Sequence, residues 1–103
     1  MTPGDGKYTS DSTMRALDML ELLCGAVPDG LANKDIAAAL KCPASTVTRT
    51  VDTLIAKGWA ERTPAGHFRL TSRFPRLTFR VLASFEAAGS RLDAMKRNYT
   101  LSN

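Results

Sequence analysis

Residues 31 to 70 constrain the fold most: a short helical pattern, a four-residue turn, a second helix rich in Ser, Thr and Arg, and a hairpin with Gly66 at its tip. The break between the two helices is dictated locally. Pro43 disfavours helical geometry at Cys42 and is itself tolerated in the first turn of the helix that follows. Asn33 has the side chain of an N-cap for a helix over Lys34 to Leu40, in which Ile36, Ala37 and Leu40 recur at the spacing of one buried face. Ala38 and Ala39 keep the rest of that helix slim, so that its successor can cross it closely.

In the next helix Val47, Val51 and Leu54 stand at i, i+4 and i+7 and must face inward, with Thr50 beside them. Ser45, Thr46, Thr48, Arg49, Asp52 and Thr53 are left outside. Short hydroxyl side chains approach phosphates and base edges without filling a groove, while a guanidinium reaches guanine bidentately or a phosphate as a charge. Asp52 is unwelcome beside a polyanion, so it either lies at the edge of such a contact or orients Arg49. Threonine is a poor choice for a helix surface that has only to be helical, yet positions 46, 48, 50 and 53 are all Thr. Lys57-Gly58 supplies a glycine stop. Trp59-Ala60-Glu61-Arg62 and His67-Phe68-Arg69-Leu70 then read as two strands around Thr63-Pro64-Ala65-Gly66. Trp59, Phe68 and Leu70 suit the sealing of this hairpin on the helices. Arg62, His67 and Arg69 are candidates for phosphate or minor-groove contact from its tip.

Upstream, Ser12 or Thr13 is suited to cap a helix through Arg15 to Cys24 that stops near Gly25, Pro28 and Gly30. Leu17, Leu20, Leu23, Cys24 and Val27 form its expected core stripe, and Met14, Met19 and Leu22 extend the apolar character around it, either as flexible core filling or as surface for a partner helix. Downstream of Ser72, Phe74, Thr78, Val81, Phe85, Ala88, Leu92, Met95 and Tyr99 recur at alternating steps of four and three, a heptad seam. The seam packs either on the same helix of a second subunit, with Phe74, Val81, Phe85, Leu92 and Met95 as the dimerisation residues, or back on its own domain. Arg73, Arg76, Arg80 and Arg91 fall within about 60° on the flank of that seam.

The chain of 103 residues carries a net charge of +4, but the charge is unevenly placed. Six basic residues face eight acids up to Glu61, and eight face two from Arg62 onward. Such a basic portion suits a face that meets a polyanion. No stretch approaches the roughly 18 apolar residues of a membrane span, and the opening segment lacks the apolar run of a signal peptide. Cys24 and Cys42 have no metal-knuckle spacing and are expected as reduced thiols of a cytoplasmic protein. His67 stands without a second histidine or a carboxylate cluster, so neither a metal site nor a catalytic one is expected. An enzyme is disfavoured further by the lack of a paired nucleophile and base or a Gly-rich phosphate loop.

These features predict a mainly α fold with a small β-hairpin: a winged helix-turn-helix over 13–71, a C-terminal helix over 72–99, a flexible tail over 1–12 and a short tail over 100–103. Arg15-Ala-Leu-Asp-Met-Leu-Glu-Leu-Leu, Asp35-Ile-Ala, Pro43-Ala-Ser-Thr-Val, Arg49, Leu54, Lys57-Gly-Trp and Gly66-His-Phe-Arg-Leu70 occur in order with short spacers. Across residues 14 to about 77 they resemble the amino-terminal DNA-binding domain of IclR-family transcriptional regulators. The resemblance implies operator binding, usually as a dimer, with Ser45, Thr46, Thr48 and Arg49 at the recognition-helix positions. Lys41 departs from the glycine common in the family's turn, and the chain ends where family members begin a larger effector-binding domain, so small-molecule sensing is not carried over.

The expected function is therefore sequence-specific binding of double-stranded DNA by a homodimer. It needs no cofactor and no small-molecule effector. Ser45, Thr46, Thr48 and Arg49 read bases, and Lys34, Lys41, Arg62, His67, Arg69 and Arg73 serve phosphate or wing contacts. The alternative is a protein-interaction or assembly module that uses the winged helix only as a scaffold.

Overall fold

Five elements build the first of two units, and the computed structural model describes residues 8–101. Helix α1 (Asp11–Cys24) begins one residue after Ser10, whose hydroxyl accepts the Thr13 N–H at 3.4 Å. The cap is thus Ser10 and not Ser12 or Thr13, and α1 takes in the last two residues of the expected tail. Of the rest of that tail, residues 1–7 lie outside the described residues.

Met19 and Leu23 are the fully buried positions of α1, with Ala16, Leu20, Leu22 and Ala26 half-buried around them. Leu17, Cys24 and Val27, expected in the core, are exposed instead, as is Met14. Both stripes satisfy the helical period. The turn of the helix that meets α2, α3 and the hairpin is set by where those elements lie, and the Met19 side wins.

Helix α2 (Asn33–Leu40) buries Ile36 and is preceded by Ala32, which offers no side-chain cap. It ends on Lys41 in the left-handed conformation (φ 55°, ψ 48°). The Cys42 N–H returns to the Ala37 carbonyl at 3.1 Å, closing the corner as helix ends with a left-handed residue commonly do. Helix α3 (Ala44–Ala56) follows Pro43 and buries Val47, Val51 and Leu54, the expected inward set. Its last turn closes with Gly58 N–H on the Ile55 carbonyl and Trp59 N–H on the Leu54 carbonyl, the paired bonds of a Schellman motif, with Gly58 at φ +80°.

Strands β1 (Ala60–Arg62) and β2 (Phe68–Leu70) pair antiparallel with Arg62 opposite Phe68. Ala60, Phe68 and Leu70 point into the core and Trp59 is half-buried, so the hairpin seals the helices. At the tip, Thr63 is buried and its hydroxyl accepts the His67 N–H. The outer edge of β2 is also occupied: Leu31 and Phe68 exchange two backbone hydrogen bonds of 2.9 Å. Gly30 (φ +78°) permits this approach, since a Cβ there would stand 2.5 Å from the Phe68 carbonyl oxygen. The chain is a winged helix-turn-helix: mostly helical, with a two-stranded wing and a long C-terminal helix.

The second unit is helix α4 (Arg73–Leu101). Pro75 sits in its first turn, where a missing N–H costs no intrahelical bond. The helix continues through Thr100 and Leu101, residues expected in the terminal tail. Among its described residues none is buried: Val81, Phe85, Leu92, Met95 and Tyr99 of the seam are exposed, and Phe74 is half-buried. No helix among the described residues is long and apolar enough to cross a membrane.

Candidate nucleic-acid interface

The inward set of α3 fixes where its other side chains go. At about 100° per residue, Ser45, Arg49 and Asp52 lie opposite Val47, Val51 and Leu54 and form an outward ridge; all three are exposed. Thr48 falls on the flank toward α2, and Thr46, Thr50 and Thr53 fall on the flank toward α1. Thr46, Thr48 and Thr53 were expected on one outer surface; the packing divides them between two flanks and leaves Thr46 half-buried.

The hydroxyls on these flanks are not equivalent. Thr48, Thr50 and Thr53 each donate to the carbonyl four residues earlier, at 3.1, 2.9 and 3.1 Å. Thr48 also accepts from the Asn33 amide at 3.1 Å, and the same amide nitrogen donates to the Ala44 carbonyl at 3.2 Å. With its proton committed to the helix, Thr48 presents its methyl group outward more than a donor. Thr46 keeps its proton; its oxygen accepts from Arg49 Nη2 at 3.5 Å. Arg49 is therefore steadied by Thr46, and no ion pair joins it to Asp52 among the described residues.

The remaining candidates are spread along the unit. Lys34 is exposed at the start of α2 and Lys41 at the corner. Arg62 is exposed on β1 with its guanidinium 4.7 Å from the centre of the Phe68 ring, an arrangement in which the ring face attracts the cation. His67 is half-buried at the wing turn. Arg69 is engaged within the wing: its Nε lies 3.6 Å from Glu61 and its Nη1 donates to the Pro28 carbonyl at 3.2 Å. A partly exposed pair of this kind is worth little and yields readily to a stronger anion. Arg73 is the first residue of α4 and belongs to the second unit.

Two residues at this surface had another part in the sequence reading. Asn33 was read as a cap, and it instead ties α2 to the start of α3; the signal was its position one residue late for capping, which the sequence alone did not resolve. Arg15 was read only as part of the α1 motif. It lines a groove of about 590 Å³ between the start of α1 and α3, together with Ser12, Thr13, Thr46, Arg49, Thr50 and Thr53. Cys24 is exposed and Cys42 half-buried, and both are free thiols. Among the described residues no cluster of His, Cys, Asp or Glu is placed to hold a metal ion.

No curated protein matches the chain. Among solved structures it is similar to an IclR family transcriptional regulator from Brucella abortus, at 23% identity and a TM-score of 0.65, over 81% of this chain and 32% of that one. The chain thus spans about a third of that regulator's length, and the likeness shows the shared fold. The family profile of the IclR helix-turn-helix domain matches residues 12–64, just over half of the chain and every element from α1 through β1. With that match over more than half of its length, the chain belongs to the IclR helix-turn-helix family of DNA-binding regulators.

Proposed function

We propose that the chain binds duplex DNA at a preferred sequence and regulates transcription in the cytoplasm as a homodimer. Ser45, Thr46, Thr48 and Arg49 face base edges, and Lys34, Lys41, Arg62, His67, Arg69 and Arg73 supply phosphate or wing contacts. The single observation that carries this reading is the outward ridge of α3, where Ser45 and Arg49 stand exposed without an acidic partner for the guanidinium among the described residues. A helix laid in the major groove uses such a ridge. Within this reading Thr48 contributes a methyl contact, while Ser45 and Arg49 supply hydrogen-bond donors. Phe74, Val81, Phe85, Leu92 and Met95 of α4 join the two subunits, and neither a cofactor nor a small-molecule effector enters the reading.

The test is selection of bound duplexes from a random pool, followed by titration of Arg49→Ala on the selected and on an unrelated sequence. The variant loses about 1 to 3 kcal/mol on the selected sequence and much less on the unrelated one. Equal loss on both makes Arg49 a phosphate contact. A wild-type chain without salt-sensitive binding to any duplex is a protein-interaction module instead, because neutralised phosphates always leave a salt slope.

A further inference from the structure

The groove between the start of α1 and α3 has a chemistry of its own. Arg15 enters from α1 and Arg49 from α3, with the hydroxyls of Ser12, Thr13 and Thr46 between them, and no carboxylate lines it. Arg15 is half-buried, and neither Asp11 nor Asp18, a turn to either side, forms an ion pair with it. A cation withdrawn from water without a counter-charge raises the affinity of its surroundings for an anion. Thr50 and Thr53, on the same flank of α3 as Thr46, donate their hydroxyl protons to their own helix and leave the groove no further donor from that flank.

A groove lined by two guanidinium groups and a hydroxyl donor, with no carboxylate, fits a phosphate group. We propose that it seats one backbone phosphate of the bound duplex, with Arg15 as the principal ligand and the Thr46 hydroxyl as a second donor, which moves Thr46 from the base-reading set to the backbone. Helix α1 then holds the strand that borders the base-reading ridge and fixes the depth at which α3 enters the groove. This rests on the DNA-binding reading above and adds a contact that belongs to the backbone and carries no sequence information.

The experiment is a fluorescence titration of the full chain on its selected duplex and on an unrelated one at several salt concentrations. Arg15→Ala weakens both duplexes equally, about tenfold as for one charge-assisted contact. It also lowers the slope of log affinity against log salt by about one. Arg15→Lys recovers part of the loss. A duplex carrying a single neutral methylphosphonate at the seated position weakens the wild-type chain and leaves Arg15→Ala unaffected. The proposal is overturned if Arg15→Ala, folded by circular dichroism, binds both duplexes with unchanged affinity and slope, or if its loss is confined to the selected sequence. Should Arg15→Ala not fold, the methylphosphonate series on the wild-type chain decides, and insensitivity at every flanking position overturns the proposal. Failure of the DNA reading itself looks different, because the wild-type chain then shows no salt-dependent binding at all.

Discussion

Lys41 holds the helix-turn-helix corner in a backbone conformation that ordinarily belongs to glycine. A left-handed residue with a Cβ costs roughly 1 to 2 kcal/mol, while a glycine there adds about 0.4 to 1 kcal/mol of unfolded-state freedom. Lys41→Gly therefore stabilises the fold by about 0.5 to 1 kcal/mol, read as a higher denaturant midpoint with an unchanged slope. If Lys41 also touches phosphate, the more stable variant binds DNA more weakly, so stability and affinity move in opposite directions. The departure from glycine was visible in the sequence, and so was the need for a sharp corner after Leu40. The sequence did not reveal that the lysine adopts the glycine geometry and leaves the corner unchanged, because nothing local distinguishes a strained lysine from a relocated turn.

At the level of elements, α3 was legible because Val47, Val51 and Leu54 are its only strongly apolar residues besides Ile55, and one face alone gathers them. Helix α1 was not, since Met14, Leu17, Met19, Leu20, Leu22 and Leu23 satisfy more than one stripe, and the choice between them is made by partners distant in sequence. The tie between α2 and α3 was hidden for the same reason. Asn33 reaches Ala44 and Thr48, 11 and 15 positions away. Its amide nitrogen donates to both, while its oxygen is buried without a hydrogen-bond partner. Asn33→Ala removes two hydrogen bonds together with that unsatisfied oxygen, and costs about 1 kcal/mol in denaturation. Asn33→Asp costs more than Asn33→Ala, because it aims a carboxylate oxygen at the Ala44 carbonyl; the reverse order would show that the tie contributes nothing.

For the whole molecule, the winged helix-turn-helix outline and the heptad seam of α4 were both readable from periodicity, whereas the partner of that seam lies beyond what periodicity encodes. Phe85 and Leu92 are 72% and 66% exposed, large areas to leave in water. Under the dimer proposal, Phe85→Glu with Leu92→Glu converts a two-subunit species to one in sedimentation and leaves the thermal melt of the helix-turn-helix unit in place. A wild-type chain that sediments as a single subunit refutes it. The Leu31–Phe68 bridge was equally out of sequence reach, since no pattern marks a one-residue pairing across an irregular loop. It leaves β2 clamped along both margins, by β1 on one and by the α1–α2 connection on the other. A hairpin so secured is no swinging flap. Settling against a ligand immobilises little that folding has not already fixed, and association proceeds with a small loss of conformational entropy.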